Sequence, residues 1–180
     1  MNSFTAKRSF SALYNYSCKS NPRVYFSLSR DGAKLGDLVF EVYANHAPRT
    51  ADNFLAFVKG TAASGSYRGA ALTGGFPGIV LTGGRVSEDN AGFDGSRIPD
   101  ESLNLRHTKR GIISFNNDGE NSNGSEFLIT LSETANVLDG YHSVIGELVE
   151  GSEVLDKAEQ SLNRHGSFDH DIKIEDCGTR

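Results

Sequence analysis

Gly119-Glu120-Asn121-Ser122-Asn123-Gly124-Ser125-Glu126-Phe127-Leu128-Ile129 runs from a polar turn dense in Asn, Ser and Gly straight into an apolar strand. Short polar side chains bond their own backbone in turns, and glycine reaches backbone angles closed to other residues. Outward from this stretch the pattern is mostly β. Residues 24–28 and 36–43 are β-branched and aromatic, and the Asp31-Gly32 pair between them predicts a hairpin. Residues 78–81, 112–115, 127–131, 144–148 and 172–174 read as further short strands. Residues 48–60 switch to helical spacing: Phe54, Phe57 and Val58 share a face, Pro48 or Thr50 starts the helix and Gly60 caps it. A second helix is expected over 153–162 with Ser152 as its cap, and the polar stretch 85–102 reads as a long surface loop. Short strands, two helices and no βαβ alternation predict a mainly β chain, an antiparallel barrel or sandwich.

The composition bounds the function. A chain of 180 residues is one domain's worth of core. No apolar run approaches the roughly 18 residues of a membrane span. A net charge of −5 gives no basic field for nucleic acid. Cys18 and Cys177 lie near opposite ends without a paired spacing, so two free thiols are expected rather than a zinc site or disulfide framework. Residues 1–21 stand apart: Lys7, Arg8 and Lys19, five serines, and no acidic residue before Asp31. That composition fits an uncleaved mitochondrial targeting segment or a docking segment for a multi-subunit assembly, with residues 22–180 as the folded domain. A mitochondrial location is expected on the first reading, a cytoplasmic one otherwise.

Read in order, Ala47-Pro48-Arg49-Thr50-Ala51-Asp52-Asn53-Phe54, Tyr67-Arg68-Gly69, Pro77-Gly78, Gly83-Gly84, Leu105-Arg106-His107-Thr108, Asn121 to Phe127, Leu138-Asp139-Gly140-Tyr141-His142 and Asp176-Cys177-Gly178 resemble a cyclophilin over residues 22–178. The resemblance implies an eight-stranded antiparallel β-barrel with a helix capping each open end and a proline-binding groove on its outer face. It also implies interconversion of cis and trans X-Pro bonds, without a cofactor. The site residues it implies are Ile79, Val80, Thr82, Asn116, Asn117, Glu126, Leu128, Val137, Leu138 and His142, lining a groove for a proline-containing peptide or protein partner.

Several of these depart from the family. The arginine that donates to the imide nitrogen aligns with Gly74, so no catalytic residue is assigned. Arg68 and Arg85 are the nearest guanidinium groups in sequence, and neither is an obvious substitute. An aromatic is replaced by Ile79, a methionine by Val80, glutamines by Thr82 and Glu126, and a floor aromatic by Leu128. The tryptophan that hydrogen-bonds cyclosporin is replaced by Val137 in a chain with no tryptophan, so cyclosporin binding is expected to be weak. Glu126 is expected to bring an unpaired carboxylate into the groove. On this reading Gly74→Arg should raise activity sharply. Two functions stand: a cyclophilin-fold binding or structural subunit with an eroded isomerase site, and a divergent working isomerase that assists protein folding.

Other groups read as structural. His142 edges the groove or braces its turn, and His107 reads as a buried structural histidine. His165 and His170 match no metal-ligand spacing.

Overall fold

In a computed structural model the chain is described over residues 16–133 and 135–180. β1 (Arg23–Arg30) and β2 (Ala33–Val42) form the expected hairpin, with Val24 opposite Phe40 and Phe26 opposite Leu38. Its turn residues Asp31 and Gly32 have φ of 52° and 80°, the left-handed pair a tight two-residue hairpin requires. Six more strands complete the sheet: β3 (Leu72–Phe76), β4 (Val80–Gly83), β5 (Ile112–Phe115), β6 (Phe127–Thr130), β7 (Val144–Glu150) and β8 (Ile172–Thr179). Their order is β3-β4-β6-β5-β7-β2-β1-β8, antiparallel throughout. β3 and β8 meet through an Ala71–Lys173 bridge, with the Gly69 N–H donating to the Ile174 carbonyl at 2.6 Å. The sheet is thus a nearly closed barrel, which leaves little strand edge exposed.

β3 is not among the strands read from residue patterns. Thr73-Gly74-Gly75 has low strand propensity, since glycine adds no side chain to pack, but pairing with β4 overrides that preference. The Pro77-Gly78 turn joins the two, and a bulge falls between Leu72 and Gly74.

Helix α1 (Pro48–Lys59) opens on a proline, whose missing N–H is no loss at that position. Ala47 supplies no side-chain cap. Glu101, from the polar stretch 85–102, does so from a distance: its carboxylate accepts the Arg49 N–H at 3.1 Å and the Thr50 N–H at 2.8 Å. A carboxylate there satisfies orphan donors and complements the helix dipole. Helix α2 (Ser152–Gln160) differs from expectation at both ends, since Gly151 is its cap, at φ 95°, and Ser152 its first residue. The reason is tertiary. Gly151 packs against the Asp37 carbonyl so closely that a Cβ would collide with it.

Both helices bury their apolar faces in one core. Its centre is aromatic: Phe26, Phe54, Phe57, Tyr67 and Phe127 meet Tyr67 or Phe26 at centroid separations of 5.2–5.9 Å. Each such ring removed from water contributes roughly 2–3 kcal/mol.

Residues 16–21 lie on the barrel wall. Tyr16 packs edge-on against Tyr43 and His46 at 5.5 and 5.3 Å. The buried Glu41 carboxylate accepts Ser17 Oγ at 3.0 Å, the Cys18 N–H at 2.8 Å and Asn21 Nδ2 at 3.0 Å. The targeting or docking role expected of residues 1–21 falls mainly on residues 1–15, which lie outside the described residues.

Burial pushes the Glu41 pKa up, but the hydrogen bonds from Asn21, Cys18 and Ser17 outweigh it and hold the carboxyl below its ordinary value. A depressed folded-state pKa stabilises the fold fully above the unfolded value, near 4.3, and that contribution is lost as pH falls through the folded pKa. The Cys18 amide protection factor should therefore drop below about pH 4. In Glu41→Gln it should start lower and lose that pH dependence, as hydrogen exchange would read directly.

Candidate functional site

Outside the barrel wall, β4, β6, the Pro77-Gly78 hairpin and the segment after Ala135 enclose a groove of about 390 Å³. Alternation along the strands builds its floor. Leu81 and Ile129 point into the core, which turns Val80, Thr82 and Leu128 outward. Thr82 stands opposite Leu128 in the ladder. Val80 and Leu128 are buried floor residues. Phe76 and Ile79 rise from the hairpin side. Val137 and Leu138, from a 3-10 turn over Asn136–Leu138, rise opposite with His142. Asn116, Thr82 and His142 are the polar members of the lining.

Of the residues singled out in sequence, Ile79, Val80, Thr82, Asn116, Leu128, Val137, Leu138 and His142 come together around this groove. Asn117 and Glu126 do not line it. The Asn117 amide instead braces two loops, donating to the Tyr141 carbonyl at 2.9 Å and to Asn123 Oδ1 at 3.4 Å. Phe76 was missed, because its strand was not read from the residue pattern. Its signal in the sequence is its place beside Pro77-Gly78, which sets it opposite Val80 once the hairpin forms. Phe76, Ile79 and Val137 are 68%, 44% and 71% exposed. A cluster of large apolar side chains left in water at a groove's mouth marks a surface that binds something.

The expectation of an unpaired Glu126 is overturned. Arg85 folds back over the Gly83-Gly84 turn and gives both Nε (3.1 Å) and Nη2 (2.7 Å) to Glu126 Oε2. Sequence distance concealed this pair, because the two side chains meet only when β4 and β6 align.

Gly74 is equally a tertiary matter. At φ 154° it has a backbone that L side chains rarely adopt, and a Cβ there would lie 2.5 Å from the Gly166 carbonyl oxygen. That oxygen accepts the Gly75 N–H at 3.0 Å, so the turn following α2 is fastened along β3. The bulge before Gly74 brings the Thr73 hydroxyl to 3.2 Å from that of Thr82. The position aligned with the family arginine is therefore closed to side chains. The expected gain from Gly74→Arg gives way to a steric conflict.

Two histidines position the opposite wall. His107 is buried, with Nδ1 2.9 Å from Asp139 Oδ1 and Nε2 2.8 Å from Ser114 Oγ. Burial lowers its pKa despite the opposing pull of Asp139. Asp139 adjoins Leu138, so the imidazole fixes the loop that carries the groove wall. His142 Nδ1 lies 3.0 Å from the Phe115 carbonyl. A carbonyl can only accept, so Nδ1 carries the proton and Nε2 in the neutral ring is left as an acceptor.

No lining residue carries a guanidinium or ammonium group. Among the described residues no three His, Cys, Asp or Glu side chains gather to hold a metal, and no helix is long and apolar enough to cross a membrane. Cys18 and Cys177 are free thiols. His170 pairs with Asp31 at 2.6 Å on the surface.

Residues 25–179 match the sequence model of the family described as cyclophilin type peptidyl-prolyl cis-trans isomerase/CLD.

Gly74→Ala should destabilise the protein by about 1–3 kcal/mol, the range for a forced backbone conformation. Denaturant titration would read the loss, and hydrogen exchange should show it centred on the Gly75 amide.

Proposed function

This chain belongs to the cyclophilin-type peptidyl-prolyl cis-trans isomerase family, and from that premise we propose that its groove holds an apolar, proline-containing segment of a protein partner while isomerising it weakly or not at all. Rotation about an X-Pro bond must break amide conjugation, at a barrier of about 18–20 kcal/mol. A catalyst binds the twisted amide better than either planar form, and that takes an apolar seat for the ring and a donor aimed at the imide nitrogen.

The seat is present in Val80, Leu128, Ile79 and Leu138. Among the described residues no charged donor lines the seat, and the single observation carrying the proposal is the Gly74–Gly166 contact. Where a donor side chain would begin stands a carbonyl oxygen, an acceptor and so of the wrong polarity. Thr73 and Thr82 offer hydroxyls close by, but a neutral hydroxyl is a weaker donor than a charged guanidinium. Loss of one transition-state donor typically costs about 2.7–4 kcal/mol, a hundredfold to a thousandfold in rate. Binding survives such a loss, because apolar contact depends on surface removed from water and not on the donor.

The role that fits is a binding or structural subunit. The exposed Phe76, Ile79 and Val137 of the groove support it, as does the acid-free composition of the first residues, which also supports a mitochondrial location. The alternative, a working isomerase assisting folding, is favoured by the intact apolar seat. Val137 has no indole N–H to offer cyclosporin, so that ligand should bind weakly.

Measured on a short Xaa-Pro peptide, isomerisation should run at least about a hundredfold slower than in a relative that keeps the arginine, while NMR shifts at Leu128 and Val80 report binding. A rate within tenfold of that relative would sink the proposal. For the subunit role, deletion of residues 1–15 should weaken incorporation into a large assembly while leaving the Glu41-bound segment in place. A chain that fractionates as a free monomer with or without those residues would refute it.

A further inference from the structure

We infer that the groove selects segments in which a lysine or arginine lies about two residues from the apolar residue that fills it. This rests on the peptide-binding reading above and adds the chemistry of the ligand's flank. Glu126 lies immediately before β6, two residues ahead of Leu128, and continued extended backbone sets both on the same face, about 7 Å apart. The Glu126 carbonyl also accepts the N–H of Asn116, which lines the groove, at 2.9 Å. The groove therefore runs from an apolar seat toward this carboxylate.

The carboxylate is incompletely satisfied. Its side chain is only 9% exposed, and both Arg85 bonds go to Oε2. Oε1 accepts no hydrogen bond among the described residues. Oε1 is not among the described polar atoms sealed from water without a partner, so it stays open to an incoming donor. Arg85 is paired with Glu126 and its Nη1 is spent on the Glu88 carbonyl at 3.1 Å, while Arg97 acts electrostatically on Asp89 from a distance. Glu88 and Asp89 add two exposed carboxylates on the turn pinned to Glu126 by Asn90, whose Oδ1 accepts the Glu126 N–H at 2.8 Å. The turn beside the seat thus carries more carboxylate than the single guanidinium bonded to Glu126. An acidic side chain would be repelled, whereas a cationic one meets a waiting acceptor. An extended segment advances about 3.3 Å per residue, which sets the two-residue separation from the apolar group over Leu128.

The test uses the full chain and a set of fluorescent Ala-Pro peptides carrying Lys, Ala or Glu two positions before or after the proline, with affinity read by anisotropy. In one of the two directions Lys should bind about fivefold or more tighter than Ala, and Glu weaker than Ala. The preference should shrink in high salt. It should disappear in Glu126→Gln and diminish in the surface double variant Glu88→Gln/Asp89→Asn, the Ala peptide serving as reference in each. If all three peptides bind alike in both directions, or Glu binds tightest, the selectivity is wrong and the groove reading stands. If none binds, the groove reading fails and this inference fails with it.

Discussion

Gly124 allows the backbone of Asn90 to lie directly against it, closer than any Cβ would permit, and the rest of the structure is organised around that approach. Asn90 is fully buried, and its Oδ1 accepts the Ser125 and Glu126 N–H groups at 3.0 and 2.8 Å. Ser125 Oγ accepts the Val86 N–H at 2.9 Å, and the Ser125 carbonyl takes the Tyr67 hydroxyl at 2.7 Å. The Gly124 carbonyl takes the Asn53 amide at 2.9 Å. One buried turn thus ties together helix α1, the central aromatic of the core and the loop after β4. Each bond left unmade would cost about 1–3 kcal/mol, so the loops around the groove are held as firmly as strands.

That arrangement positions the groove without supplying its chemistry. With the turn fixed, β6 enters the sheet in a register that turns Leu128 outward, and Asn90 sets the Ser87–Asn90 turn beside Glu126. On the far side the barrel closes differently. Gly74 and Gly75 let the turn at Gly166 come into contact with β3, which covers that edge and fills the space a catalytic side chain would need. In this chain the Gly166 carbonyl stands where a Cβ at residue 74 would lie. Charge follows the same logic. Arg85 is used to neutralise a buried carboxylate, leaving an apolar seat bounded by one hydroxyl, an amide and one imidazole.

Much of the fold was legible in residue patterns. The Asp31-Gly32 hairpin, the first helix with its Gly60 cap and the strands from Ile112, Phe127 and Val144 stand where periodicity put them. β3 was not legible, because its glycines carry no strand propensity and only the neighbour β4 makes them a strand. Ser152 reads as a cap, but the closeness of Gly151 to Asp37 moves the cap one residue back. Residues 85–102 read correctly as irregular, yet their anchoring by Asn90 and the capping of α1 by Glu101 came as long-range hydrogen bonds that polar composition does not reveal. Most groove residues followed from the family resemblance. Phe76, the Arg85–Glu126 pair and the displacement of Asn117 did not.

By itself the sequence determined a mainly β antiparallel chain with two helices, and the family resemblance in its motifs implied the barrel and the side chains offered to the groove. Hydrophobic alternation and turn chemistry are local and survive in a linear string. Only the tertiary structure decided which of those side chains share a cavity, that Glu126 is paired, and that the place of Gly74 is closed. Those outcomes depend on through-space distances between residues far apart in the chain: Gly74 with Gly166, Arg85 with Glu126, Asn90 with Gly124. Hydrogen bonds and steric contacts act over a few ångströms, and nothing in local sequence fixes which distant partners will come within that range.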